Sequence, residues 1–379
     1  MKYILILTII LGMNIGSERV YIACEGNFYE GDGSLWTIEN NAATSYQYNP
    51  VGDLTQSVYV FEDYLFVIAN VSSEIHIFNI TGYGLDYHHT IFTNGSGPRQ
   101  MIVHNGQLYF TNWYTQDLKI VNLNTWEIEA EITMPGLPED LIAYNNHIYI
   151  SIIMNSDWTD GSDVVVYNPE SNSIIETYSV GPGPDQLIEL NGEIYISRTF
   201  YDENWNAYFG TSKISDDEVQ IVNYTSGSIC GGGIYKINNS IYRVYDGGIA
   251  QINSSLEIIP ETRIGDYGNS VYSAEVLDDK IYFGLTDFSS PDEVAVTDLD
   301  GNEIARYQVD IFPGDFSLWR CSQDGDINED ENLDITDIVE IVSNILETQL
   351  YNCKADINSD NDINIFDVIE IVQLALEGN

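Results

Sequence analysis

Basic residues are scarce. The 379-residue chain holds 13 Lys and Arg against 59 Asp and Glu, a formal charge of −46. So few cations cannot neutralise a phosphate backbone, which excludes nucleic acid as a partner. An anionic membrane surface is excluded on the same ground. Acidity of this order suits divalent cations, cationic partners or a saline medium, although most of the acids read as a solvated surface. Long apolar runs are also rare. The one exception is Tyr3 to Leu11, preceded by Lys2 and followed by the small residues Gly16 and Ser17. It is too short for a membrane span, and residues 1–17 read as a secretory signal peptide cleaved near Ser17. No cysteine stands at that point, so a lipid anchor is not indicated. The mature chain is expected to be exported, secreted or at the cell surface, without a membrane span.

Cysteine is sparse too, with Cys24, Cys230, Cys321 and Cys353. An exported chain can keep disulfides. Cys321 and Cys353 stand a few residues before Asp326 and Asp356, matching places in a repeat described below, and are expected to be bonded. Cys24 and Cys230 either form a second bond or stay as buried thiols. Catalytic signatures are missing: there is no HExxH, no G-x-S-x-G and no P-loop. The five histidines are His76, His88, His89, His104 and His147. Only His88 and His89 adjoin, on what reads as an outer strand.

What is present is a folding sequence, 44% hydrophobic and 12% aromatic. A motif recurs: an apolar strand, a tight Asn/Asp/Gly turn, then an aliphatic-Tyr strand. It appears as QSVYVFEDYLFVIAN (56–70), RQMIVHNGQLYFTNW (99–113), EDLIAYNNHIYISII (139–153), DQLIELNGEIYISRT (185–199), GGIYKINNSIYRVYD (232–246) and YSAEVLDDKIYFGLT (272–286). The turn residues tolerate positive φ, as two-residue hairpins need. The second strands begin at Leu65, Leu108, Ile148, Ile194, Ile241 and Ile281, 40–47 residues apart, with room for two more strands in each interval. Four strands per such interval make a propeller blade. Six units are complete. RVYIACEG and GSLWTIEN lack a first strand, and FPGDFSLW near the other end has no successor. Joining them closes a seventh blade and removes the exposed edges.

The blade-opening segments GSGPRQM, PGLPEDL and GPGPDQL resemble the Gly-x-x-Pro turns of YncE-like and NHL-like propellers, over residues 19–319. The resemblance implies a fold and leaves the activity open. Loops entering first strands and leaving second strands are expected on one face. That reading gathers Arg99, Trp113, Asp140, Asp185, Arg198, Asp246, Asp287, Asp315 and Trp319 around one funnel, with Trp158, Tyr201 and Trp205 on insertions. Aromatics with acids suit a glycan or peptide, but they equally suit a structural rim.

The last segment, 321–379, carries two loops 30 residues apart: DINEDENLDITD (326–337) and DINSDNDINIFD (356–367). Oxygen side chains at positions 1, 3, 5, 9 and 12, with a backbone carbonyl at 7, suit a hard cation such as Ca²⁺. These are Asp326, Asn328, Asp330, Asp334 and Asp337, with Asn332 at position 7. In the second loop they are Asp356, Asn358, Asp360, Asn364 and Asp367, with Asp362 at position 7. Two ions are therefore expected. Each loop leads into a helix with an apolar stripe: Ile338, Ile341, Val342, Ile345 and Leu346, then Val368, Ile371, Val372, Ala375 and Leu376. Two stripes make a small core, so metal binding should supply much of the stability.

This EF-hand-like pair, with Asp at position 12, closely resembles a type I dockerin over its full length. The resemblance implies docking to a cohesin-like or other surface protein, read by positions 10 and 11. Those are Ile335 and Thr336, then Ile365 and Phe366, where cellulosomal dockerins often carry Ser/Thr. Position 6, usually Gly, is Glu331 and Asn361. The expected architecture is mainly β: a signal peptide (1–17), a seven-bladed propeller of four-stranded blades (18–320), and a small all-α calcium-binding domain (321–379). Three roles are open: a ligand-binding propeller on a docking module, a polysaccharide-degrading hydrolase or lyase carried by that module, or a structural propeller with a calcium-stabilised cap.

Overall fold

A computed structural model of the chain describes residues 18–226, 232–321, 323–328, 330, 332–348, 352–358, 360 and 362–377. The expected signal peptide, Cys230, Glu331 and Asn361 lie outside the described residues. The described chain forms two compact units. The larger spans residues 20–78 and 87–318; the smaller holds 18–19, 79–86 and the segment from Trp319 onward.

Seven antiparallel sheets make up a seven-bladed propeller. The innermost strands, in blade order, are Pro313–Arg320, Thr55–Phe61, Pro98–His104, Gly136–Tyr144, Pro184–Leu190, Ile234–Ile237 and Val271–Leu277. Pro313–Arg320 joins the sheet begun by Glu18–Cys24, so the two ends of the propeller share the first blade, as the split repeat predicts. The hairpins turn as their residues dictate. Asn105 and Gly106 sit at φ 49° and 73°, Asn145 and Asn146 at 50° and 58°, Asn191 and Gly192 at 54° and 87°. Positive φ at both central residues matches strand twist in a two-residue turn.

The core lies between blades. Phe66, Ile68, Ile77, Met101, Leu108 and Phe110 interdigitate between the second and third blades. Tyr109, Ile120, Leu141 and Ile150 do so between the third and fourth. Middle strands are buried on both faces and read as continuous apolar runs. The outermost strand Glu127–Thr133 instead alternates exposed and half-buried residues, because one face meets water.

The sixth blade departs from the expected four strands. It has three, ending at Gly248–Gln251. The following chain makes only isolated bridges, Ile252 to Ile258 and Ile249 to Ile264, around a short 3₁₀ turn at Pro260–Thr262. Pro260 has no N–H for a ladder, and a fourth strand cannot run through it.

In the smaller unit, α1 (Ile335–Ser343) and α2 (Ile365–Glu377) pack through Ile341, Val368 and Ile371, with Ile338, Val342 and Ile345 alongside. Two expected core residues are not core: Leu346 is 75% and Leu376 72% exposed. A π-turn at Asn344–Thr348 widens the helix after Ser343, which rotates Leu346 off the stripe. Leu376 lies in the last turn of α2, beyond the reach of the shorter α1. Cys321 and Cys353 are bonded, with Cα atoms 5.7 Å apart. Cys24 is a buried free thiol, so it forms no second bond.

Candidate functional site

Five of the innermost strands open on a β-bulge. The register slips between Thr55 and Ser57, Pro98 and Met101, Pro138 and Leu141, Pro184 and Leu187, and Val271 and Ser273. Three of these bulges follow a proline, which cannot donate to the ladder. Bulges re-aim side chains, and the residues inside them are polar: Gln56, Arg99, Gln100, Glu139, Asp140, Asp185, Gln186 and Tyr272.

Several of them interlock. Arg99 grips Glu139 through Nε at 3.1 and 3.2 Å and through Nη2 at 2.7 Å, and it bonds Gln56 through Nη1. Its guanidinium lies over the Trp113 ring at 4.1 Å, and Trp113 meets Trp158 edge-on at 6.2 Å. Tyr272 donates to Glu25 at 2.8 Å. Burial raises the Glu25 carboxyl, and the Tyr272 bond and Arg99 charge partly oppose it.

Other side chains lace one blade to the next. Asp140 Oδ2 accepts the Leu187 amide at 2.7 Å, and Oδ1 accepts Leu141 at 2.8 Å. Asp315 does the same for Val58 and Phe316, both at 2.9 Å. Gln186 accepts Ile234 at 3.2 Å. Such bonds satisfy edge amides that would otherwise be buried unpaired.

Acids crowd this region. Asp140, Asp185 and Asp315 are each pushed up to about 7, and Glu275 to about 8. The first cause is enclosure by protein, and neighbouring acids add to it. By area these side chains are only half-buried; protein surrounds them on most sides, and that decides the direction. Asp185 differs from Asp140 and Asp315 in that, among the described residues, its carboxylate accepts no backbone amide. Glu139 and Asp140 raise it further, while Arg243 and Arg99 oppose them.

The structure brings Arg99, Trp113, Asp140, Asp185 and Asp315 into this cluster, with Trp158 at its rim, whereas Arg198 turns its guanidinium to the Pro182 and Val222 carbonyls and Asn223. Asp246 and Asp287 do not contact it. Asp246 sits in an exposed turn, paired with Arg263 at 2.9 Å. Asp287 accepts the Ser289 amide at 2.9 Å beside a separate cleft of about 320 Å³, which Tyr267, Glu293 and Arg306 also line. Trp319 is buried at the opposite end of its strand from the bulges, against Arg19 at 5.1 Å. It leaves the first strand rather than entering it, and so faces the other way. Tyr201 and Trp205 pack 6.2 Å apart and are exposed. His88 and His89 lie on the outermost strand of their blade, against Trp126.

Sequence reasoning missed Gln56, Glu139, Glu25, Tyr272, Glu275 and Arg243. A signal existed for three of them. Gln56, Glu139 and Tyr272 stand where Arg99 and Asp185 stand when the blades are aligned on their turns.

The two C-terminal loops build the same hydrogen-bond net. In the first, the Asp330 amide is shared by Asp326 at 3.1 Å and Asn328 at 2.9 Å, and the Asn332 amide goes to Asp330 at 2.9 Å. Asp337 accepts Asp334 and Ile327 at 2.9 Å and Asn328 at 3.3 Å. In the second, the Asp360 amide is shared by Asp356 at 3.0 Å and Asn358 at 2.8 Å, and Asp362 donates to Asp360 at 2.9 Å. Asp367 accepts Asn364 at 2.9 Å and Asn358 at 3.3 Å. Asp334 and Asn364 accept the amides of Thr336 and Phe366, which starts each helix.

Asp337, Asp356 and Asp367 are fully buried, and among the described residues no cationic side chain pairs with Asp337 or Asp367. Among the described residues, no three acidic, His or Cys side chains converge on one point. Ile335, Thr336, Ile365 and Phe366 are all exposed, and Val339 and Ile369 extend the apolar pairs by one turn.

No known protein family matches the sequence, and no curated protein matches it. Solved structures do. A protein from Lactobacillus plantarum superposes with a TM-score of 0.60 at 10% identity, covering 80% of this chain and 99% of that one. A putative 6-phosphogluconolactonase from Bacteroides fragilis gives 0.55 at 10%, over 80% and 98%. A hypothetical selenium-binding protein from Sulfolobus tokodaii gives 0.54 at 9%, over 80% and 94%. They agree with the propeller reading, and at such identity the likeness establishes fold alone.

Proposed function

We propose that this is an exported protein with two working parts. The propeller channel takes a glycan or peptide ligand, and the C-terminal pair of loops binds calcium and docks onto a partner protein. One observation carries the proposal: two loops 30 residues apart repeat the same net around buried, unpaired position-12 carboxylates. An anionic carboxylate buried without a counter-charge is costly, and a divalent cation removes that cost. The residues fit a hard cation: Asp326, Asn328, Asp330, Asp334 and Asp337 with the Asn332 carbonyl, then Asp356, Asn358, Asp360, Asn364 and Asp367 with the Asp362 carbonyl. Bound calcium would neutralise the loop acids and fix the start of each helix.

Docking follows from what the helix starts display. Ile335 with Thr336, and Ile365 with Phe366, repeat at the same loop positions, so the module presents two similar apolar faces. Calcium would hold both in place. The disulfide supports an extracellular setting, and no helix among the described residues is long and apolar enough to cross a membrane. A pull-down from the native source with the full chain should recover a partner protein in calcium and lose it with chelator. It should also lose it with Phe366→Asp. Equal recovery under all three conditions removes the docking role.

One observation favours a second reading, a hydrolase or lyase acting on polysaccharide. Asp185 is pushed up to about 7, accepts no backbone amide among the described residues and faces the channel cluster, as a proton-transferring acid would. Cleavage of glycans that is lost in Asp185→Asn, with the fold retained, selects that reading. No cleavage across a panel of acidic and neutral polysaccharides rejects it.

A further inference from the structure

Four loops at one face of the propeller hold an aromatic residue in a conformation that aromatic residues avoid. Tyr29, Trp158, Trp205 and Phe288 lie at φ 66°, 66°, 62° and 65° and are 54 to 81% exposed. Each loop follows the second strand of its blade: Glu18–Cys24 in the first, His147–Asn155 in the fourth, Glu193–Tyr201 in the fifth and Lys280–Leu285 in the seventh. The antiparallel strand order puts all four on the face where the bulges open. A left-handed backbone is costly for a bulky side chain, and so is an aromatic ring left in water. The turns themselves do not require either. Asn155 and Asp202 accept the amides of Trp158 and Trp205, both at 2.9 Å. At the opposite face Asn253 accepts Leu256 at 2.9 Å and Asp298 accepts Gly301 at 3.1 Å in the same way. There the left-handed position goes to a buried leucine or a glycine.

Tyr29 and Phe288 stand on neighbouring blades, because the first and seventh adjoin in the ring. Between their loops lies a cleft of about 350 Å³, within the roughly 300–1,000 Å³ of small-molecule sites. Asn27, Asp32, Ser34, Asn49, Ser290 and Asp310 line it, and no cationic side chain among the described residues does. Asp32 accepts the Asn27 side-chain amide at 2.9 Å. Asp310 accepts Ser34 at 2.7 Å and Trp36 at 3.0 Å, both through Oδ2, and its Oδ1 takes no bond among the described residues. At one edge of the cleft the exposed Phe28 ring meets Tyr29 at 4.1 Å. From the other edge the rings lead inward. Phe288 meets Phe312 at 5.8 Å, Phe312 meets Tyr272 at 5.2 Å, and Tyr272 bonds Glu25 of the channel cluster.

We propose that this cleft binds a neutral glycan, with the faces of its sugar rings against Tyr29 and Phe288 and its hydroxyls bonded to the carboxylates and amides inside. This rests on the propeller being the ligand-binding part and stands apart from the docking module. A sugar ring presents a C–H face that packs on an aromatic ring, and hydroxyls that both donate and accept. Carboxylates that only accept, set beside amides that also donate, match a row of hydroxyls. The charges of Asp32 and Asp310, with no lining cation to offset them, turn away acidic sugars and phosphates. Rings held out at a fixed angle by a left-handed backbone are preorganised, so little freedom is lost when a ligand settles on them.

The test is calorimetry of the full chain with cellohexaose, xylohexaose and mannohexaose, with trigalacturonate as an acidic probe and hexalysine as a basic peptide. At least one neutral hexasaccharide should give saturable heat, and trigalacturonate should give none. Tyr29→Gly and Phe288→Gly each remove a ring while relaxing its backbone. Each should therefore unfold within about 2 °C of wild type and bind that hexasaccharide roughly tenfold more weakly. No heat with any neutral hexasaccharide overturns the proposal. Wild-type affinity in both glycine variants also overturns it, and leaves the sugar bound elsewhere in the channel. Hexalysine binding while the sugars fail would keep the ligand-binding propeller and remove the glycan. Silence from every probe would remove both.

Discussion

Asp140 in the fourth blade holds the Leu187 amide of the fifth, its Oδ2 2.7 Å from the nitrogen. The same carboxylate accepts Leu141. Truncation to alanine leaves two inner-strand amides without acceptors, at about 1–3 kcal/mol each. Urea unfolding of Asp140→Ala should show that loss at an unchanged m-value, and Asp140→Asn should fall between. A wild-type midpoint for Asp140→Ala would mean that the lacing contributes nothing.

The channel acids give stability a pH dependence. Asp140, Asp185 and Asp315 are raised to about 7 and Glu275 to about 8. The folded state therefore holds protons that the unfolded chain releases near pH 4. The contribution is full below that value and is lost as pH rises through 7 to 8. Tm should fall from pH 5 to pH 8.5. Repulsion within a chain of charge −46 acts in the same direction, so the variant matters: Asp315→Asn should flatten the slope. An identical slope in wild type and variant would place its origin elsewhere.

Much of this architecture was legible because local rules agree with one another. The Asn-Gly and Asn-Asn turns fixed the hairpins at residues 105–106, 145–146 and 191–192, and the hairpin spacing fixed the blades. The split first blade was legible because each chain end carried only part of a repeat. Blade six was not, because Pro260 interrupts a segment whose Leu256, Ile258 and Ile259 look strand-like. The channel cluster was half legible. Asp140 and Asp185 follow a blade-opening proline, but Glu25 and Tyr272 meet only through closure of the ring. Trp319 misled because direction along a strand, rather than proximity in sequence, decides which face a residue reaches. Leu346 misled because a π-turn changes the helical phase that the stripe assumed.

The Cys321–Cys353 bond closes a loop between residues 32 apart in sequence, beside a small core. By the chain-entropy argument it stabilises the smaller unit by about 3–4 kcal/mol. Reduction should lower helical circular dichroism at a milder denaturant concentration and weaken calcium affinity. The propeller's own unfolding transition should not move. Calcium binding indifferent to reduction would show that the loops are organised without the bond.

Calcium titration of the full chain by calorimetry, after exhaustive chelation, tests the central claim most directly. Two sites are predicted. Asp367→Ala should remove one while Asp337 still serves the other, and far-UV circular dichroism should gain helix on calcium addition. No calcium heat, with no change in helix content, would contradict the account.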